Sequence, residues 1–121
     1  MTRYLVKARE PMSSLTHLIG AVFFAIATIF LVVKTLLEPH WTAKVLVGVI
    51  LFGISLVALY IASSVYHYAN GSARKLLILR KLDHAMIYVL IAGTYTPILL
   101  TYMAGVKGWL FVAAIWFCAF L

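Results

Sequence analysis

Residues 45–66 read VLVGVILFGISLVALYIASSVY, which is 22 consecutive positions without an Asp, Glu, Lys or Arg. A helix of roughly 20 apolar residues is long enough to cross the hydrocarbon core of a bilayer. The Gly, Ser and Ala residues within the stretch are small enough to let membrane helices approach each other closely. This segment therefore predicts a transmembrane helix that packs against neighbouring helices.

Three further stretches lack charged side chains, namely Leu15–Val33, Ala85–Val106 and Gly108–Leu121. The first two, with 19 and 22 residues, can each span a bilayer, whereas the last has 14 residues. Only 11% of the 121 residues are charged and 65% are hydrophobic, a balance that does not suit the surface of a soluble domain. The sequence predicts an all-α membrane protein, a helical bundle with three complete transmembrane helices and a truncated fourth.

The predicted helices cover about 15–37, 43–68, 82–103 and 108–121. Together they form a single transmembrane domain, which we expect to be a fragment of a longer protein because the fourth apolar run stops short of a span. Pro11 with Ser13 and Ser14 fits the start of the first long helix, where hydroxyls can cap free N–H groups.

The net charge of +7 follows the pattern of membrane topology, and no nucleic-acid partner is expected. Cytoplasmic loops of membrane proteins are enriched in Lys and Arg. Seven basic residues lie in the N-terminal segment and the second loop: Arg3, Lys7, Arg9, Arg74, Lys75, Arg80 and Lys81. The other two loops carry only Lys34, Lys44 and Lys107. The pattern predicts a multi-pass protein of the cell membrane with a cytoplasmic N-terminus, and a short helix over residues 72–81 lying along the anionic headgroups.

Ionisable side chains at membrane depth are costly, so they are candidates for function. Ser63 and His67 are four residues apart and share one helix face. Asp83 begins the next predicted span, and the short connection favours antiparallel neighbours, so the three side chains can meet near the inner leaflet boundary.

Two interpretations of these residues are open from spacing alone. In the first, His67 is a zinc ligand. Asp83 then either orients a water bound to the metal or accepts a hydrogen bond from a residue that ligates the metal. In the second, Asp83 balances Arg80 or Lys81, and His67 is an interfacial histidine bonded to a backbone carbonyl. His17 could line the same cavity or be a satisfied polar group at a helix end.

Three motifs resemble those of the hemolysin III family, in the same order along the chain. They are Glu10-Pro-x-Ser-x-x-Thr-His-x-x-Gly20, then Ser63-Ser-Val-Tyr-His67, and then Leu82-Asp-His-Ala-Met-Ile-Tyr88 continued by Ala92-Gly-Thr-Tyr-Thr-Pro97. That family is related to the progestin and adipoQ receptors and, more distantly, to the alkaline ceramidases. The resemblance covers most of the chain and identifies it as the N-terminal portion of such a protein.

The resemblance implies a seven-helix bundle with a zinc site near the inner leaflet. In that pattern His67 is a zinc ligand, Asp83 holds a water on the zinc or acts as general base, and Ser63 assists an oxyanion or orients the water. The remaining ligands come from a His-x-x-x-His motif on the last helix, beyond this sequence. The implied activity is hydrolysis of an amide or ester bond in a membrane lipid.

A non-enzymatic role is the alternative to a zinc-dependent lipid hydrolase. Such a protein would lyse membranes by forming pores, regulate membrane properties, or act as a receptor-like sensor. A secreted pore-former needs a soluble form, and three spans with a clear charge bias instead favour a resident membrane protein. The outer loops are short, which argues against a receptor for an outer ligand.

The charge bias yields a direct test of topology. A cysteine introduced at position 3, in a background with Cys118 replaced by serine, is expected to escape a membrane-impermeant maleimide in intact cells. A cysteine at position 40, in the first loop, should react under the same conditions. Labelling of position 3 from outside would contradict a cytoplasmic N-terminus.

Overall fold

The computed structural model describes residues 1–121 and consists of five helices without strands. In chain order they are α1 (Thr2–Lys7), α2 (Pro11–Leu37), α3 (Ala43–Tyr68), α4 (Ala73–Tyr102) and α5 (Val106–Ala119). The helices α2, α3 and α4 are long and apolar enough to cross a membrane, and α5 is a shorter apolar helix. These findings confirm the predicted all-α class with three long spans and a shorter fourth helix.

Helix α2 begins at Pro11, four residues earlier than the predicted start. Proline suits the first helical position because its missing N–H would have no partner there. The expected capping role of Ser13 and Ser14 is wrong, since the residue at the cap position is Glu10 and no side chain caps the helix. Ser14 lies inside the helix and is completely buried.

The predicted surface helix over 72–81 and the predicted span over 82–103 are one continuous helix, so two separate helices were the wrong interpretation. Ser72 caps its start by accepting a hydrogen bond from the backbone N–H of Lys75. Neither Gly nor Pro interrupts the chain between there and the apolar residues. At about 1.5 Å per residue, 30 residues exceed the thickness of a bilayer core, so the cationic first turns extend beyond it.

Helix α3 lies between α2 and α4, and α5 packs on α4. Its small residues allow this close packing on both sides. A Cβ atom on Gly53 would lie 2.1 Å from Cγ2 of Thr28 in α2, and one on Gly48 would lie 2.6 Å from Cα of Pro97 in α4. The two interfaces therefore depend on positions where only glycine fits.

The buried residues are mainly small or polar, while large apolar side chains point outward. Six of the 16 buried residues are serine or threonine. By contrast, Phe23, Phe30 and Ile29 are more than half exposed. This distribution is typical of membrane helices, which associate through small residues and hydrogen bonds and present large apolar side chains to lipid.

Gly48→Leu is expected to destabilise the protein strongly, because the added side chain would meet backbone atoms of Pro97 that cannot rotate away. Overpacking of this kind costs about 1–3 kcal/mol. Ala27→Leu is the control, since Ala27 is exposed on α2 and the substitution adds three carbons where no neighbouring helix is packed. Denaturation of the two variants in detergent measures the effect, and equal stability would contradict the assigned helix contact.

Candidate functional site

His67 lies in the last turn of α3 and is held by an acidic residue from the N-terminal segment. Its Nδ1 is 2.8 Å from Oε2 of Glu10. The His67 side chain is 20% exposed, so the pair is only partly open to its surroundings. The alternative in which His67 is bonded to a backbone carbonyl is therefore wrong, because its partner is a carboxylate.

His17 lies one turn into α2 and contacts the same histidine. Its ring centroid is 5.5 Å from that of His67, with 27° between the ring planes. The Nδ1 of His17 is 2.7 Å from the carbonyl oxygen of Ser13. A carbonyl can only accept, so Nδ1 carries the proton and Nε2 is the free acceptor in the neutral ring. His17 is thus both a satisfied residue at a helix end and a neighbour of His67.

Two adjacent serines of α3 have different surroundings. The hydroxyl of Ser64 donates to the carbonyl oxygen of Ser14, and the hydroxyl of Ser14 donates to the carbonyl oxygen of Ser64, each over 2.9 Å. The hydroxyl of Tyr4 donates in turn to the Ser14 oxygen. Ser63 takes no part in this exchange although it is only 6% exposed. Ser64 therefore joins two helices, and Ser63 is left available for another partner.

Asp83 lies 11 residues into α4 rather than at the start of a helix. It is partly buried on the stripe that includes Leu79, Met86 and Gly93, the face of α4 that meets α3. Neither of the two ion pairs in the chain involves Asp83. Asp83 therefore makes no direct ion pair with Arg80 or Lys81 in this structure.

The contact between α3 and α4 gives the relative depth of Ser63 and Asp83. The two helices are antiparallel, and Gly48 lies against Pro97. Ser63 follows Gly48 by 15 residues and Asp83 precedes Pro97 by 14, so at about 1.5 Å per residue their heights agree within one turn. His67 lies one further turn towards the end of α3. The three predicted site residues thus share one end of the helix pair, as expected from the sequence.

The donor atoms fit part of a zinc site. A metal-bound histidine commonly donates its other ring N–H to a carboxylate or carbonyl, and the rings of His67 and His17 both have such a partner on Nδ1. No group of three or more His, Cys, Asp or Glu side chains is close enough to hold a metal ion. His67 as a ligand, with Ser63 and Asp83 as catalytic residues, stays a prediction for these residues.

His84 has different surroundings from His17 and His67. It follows Asp83 by one residue, is exposed, and its Nδ1 donates to the carbonyl oxygen of Arg80 over 2.8 Å. It lines an open cavity of about 550 Å³ together with Arg80, Lys81 and residues 119–121 at the end of the chain.

Comparison with known proteins places the chain in a family. A family model described as "Haemolysin-III related" matches residues 5–121. This chain belongs to the hemolysin III family. It is 38% identical over 118 residues to Hemolysin-3 of Bacillus cereus, covering 96% of this chain and 52% of that protein. It is 36% identical over 107 residues to the Hemolysin-3 homolog of Bacillus subtilis (strain 168), covering 88% of this chain and 49% of the relative.

The chain spans about half the length of the curated relatives that it matches. No solved structure matches it. The family assignment and the three long apolar helices together show a multi-pass membrane protein.

Glu10 was not predicted from the sequence as a site residue. Glu10 is one of only three acidic residues in the chain, and it stands in the first of the motifs that carry the resemblance. The scarcity of acidic residues was therefore the feature of the sequence that could have pointed to Glu10. The partner of Glu10 was not predictable, because Glu10 and His67 are 57 residues apart.

The contrast between the two serines yields a matched pair of variants. Ser64→Ala should lower stability by about 1 kcal/mol, because it removes an interhelical hydrogen bond in an apolar setting. Ser63→Ala should leave stability nearly unchanged. Thermal denaturation of both variants in detergent distinguishes them, and a larger loss for Ser63→Ala would contradict the assigned roles.

Proposed function

We propose that this chain is part of a zinc-dependent membrane hydrolase that cleaves an amide or ester bond in a lipid. The observation that carries the proposal is the bond from His67 Nδ1 to the Glu10 carboxylate, which leaves Nε2 as the free ligand atom. Further zinc ligands are expected from the part of the protein beyond this chain. The proposed location is the cell membrane, with the N-terminus and the site on the cytoplasmic side.

Three residues of this chain have proposed roles. Zinc, when bound, polarises a carbonyl and makes water acidic enough to deprotonate near neutral pH. His67 binds the metal through Nε2. Asp83 has no ion-pair partner and can accept the proton of the attacking water. Ser63 can donate a hydrogen bond to the carbonyl oxygen as negative charge develops there.

The proposed reaction balances without another reactant. The water oxygen forms a bond to the carbonyl carbon, and the bond from that carbon to the amide nitrogen or ester oxygen breaks. Asp83 passes the proton it accepted to the leaving nitrogen or oxygen. A site at the end of the spans suits a lipid, because its amide or ester bonds lie near the boundary of the hydrocarbon core.

The expected result with the purified full-length protein is stoichiometric zinc and release of a fatty acid from a ceramide or phospholipid substrate. His67→Ala should abolish both, since it removes a metal ligand. His40→Ala, in the first loop, is the control and should retain both. Metal content by mass spectrometry and product analysis check the outcome, and full zinc in His67→Ala would contradict the ligand assignment.

The name of the Bacillus cereus relative, Hemolysin-3, favours a second candidate, which is lysis of membranes. The same preparations distinguish the two functions. Dye release from lipid vesicles that is unaffected by a zinc chelator and by His67→Ala would favour a pore. Chelator-sensitive release of fatty acid would favour the hydrolase.

A further inference from the structure

The segment before α2 is fixed to the C-terminal end of α3 by its own backbone. The N–H of Arg9 donates to the carbonyl oxygen of Tyr68 over 3.2 Å, and the N–H of Glu10 donates to that of His67 over 2.9 Å. The last carbonyls of a helix have no partner within it, so these bonds satisfy groups that would otherwise be exposed. These backbone hydrogen bonds alone bring Glu10 beside His67.

Arg9 strengthens this attachment through its side chain. Its guanidinium donates to the carbonyl oxygens of Tyr66 and Ala69, over 3.0 and 3.3 Å, and lies 4.7 Å from the centroid of the Tyr66 ring. A cation is stabilised at the C-terminal end of a helix, where the backbone dipoles are negative. Arg9 also pairs with Oε1 of Glu10 over 2.9 Å.

The carboxylate of Glu10 is therefore held at both oxygens. Arg9 contacts Oε1, and Nδ1 of His67 contacts Oε2. Because the oxygen of a carboxylate accepts, the proton of the neutral imidazole stands on Nδ1 and the lone pair on Nε2. The His17 ring lies beside that of His67, with 5.5 Å between the ring centroids.

We propose that Glu10 is a positioning residue for His67. It selects the tautomer with a free Nε2 and fixes the direction of that nitrogen, while Arg9 fixes the carboxylate. The link to zinc rests on the proposed function, whereas the selected tautomer does not depend on it. Glu10 lies outside the residues that we assign to catalysis or metal binding.

The first experiment measures the zinc affinity of the full-length protein by competition with a chelator. Glu10→Ala should weaken zinc binding about 10- to 100-fold, the usual effect of removing such an outer partner. Glu10→Gln keeps an acceptor for Nδ1 but loses the pair with Arg9, so its loss should be smaller. Glu38→Ala removes the same charge at the other end of α2 and should bind zinc as the wild type does. Unchanged zinc affinity in well-folded Glu10→Ala overturns the proposal.

The second experiment determines the tautomer of His67 without metal, from the nitrogen chemical shifts of isotope-labelled histidine. The wild type is expected to carry the proton on Nδ1, and Glu10→Ala should move the population towards the proton on Nε2. The proton on Nε2 in the wild type overturns the proposal and needs no variant to fold. If the wild type binds no zinc, the proposed function fails, and the tautomer still decides the role of Glu10.

Discussion

The absence of water from a bilayer core governs the arrangement of these helices. Every backbone N–H and C=O must be satisfied within a helix there, and no hydrophobic force drives one helix against another in lipid. Close packing and hydrogen bonds remain as the forces of association. Helix α3 supplies both, through Gly48 and Gly53 at its two interfaces and through the exchange of hydrogen bonds between Ser64 and Ser14. The positions of α2 and α4, and so of every candidate site residue, depend on these contacts.

The same constraint explains why the candidate site lies at the end of the spans. Charged groups are least costly where water and headgroups are near, and the end of α3 also exposes carbonyl oxygens without partners. Arg9 and Glu10 satisfy these carbonyls and bring a carboxylate to His67 in one arrangement. A single short segment thus satisfies the last carbonyls of α3, attaches α2 to α3 and orients the imidazole of His67. Stability and the proposed chemistry are coupled at this point of the molecule.

The two histidines and two serines show how neighbouring polar residues divide between structure and function. Ser64 is used to join helices, whereas the adjacent Ser63 is free of that contact. His17 is bonded to its own helix, whereas His67 is bonded to a carboxylate from another segment. Asp83, by contrast, is partly buried and makes no ion pair. Its carboxylate is therefore not used by an ion pair within this chain.

The amino-acid sequence by itself determined the helical class, the three long spans, the family and the shared depth of Ser63 and Asp83. These follow from apolar run length, charge and local spacing, which are properties of short segments. Only the tertiary structure decided that α4 continues through the cationic residues, that Ser64 rather than Ser63 joins the helices, and that Glu10 holds His67. The reason is that each depends on a partner about 50 or more residues away or on uninterrupted helix propagation. Such pairings are set by how helices pack, which composition and periodicity do not specify.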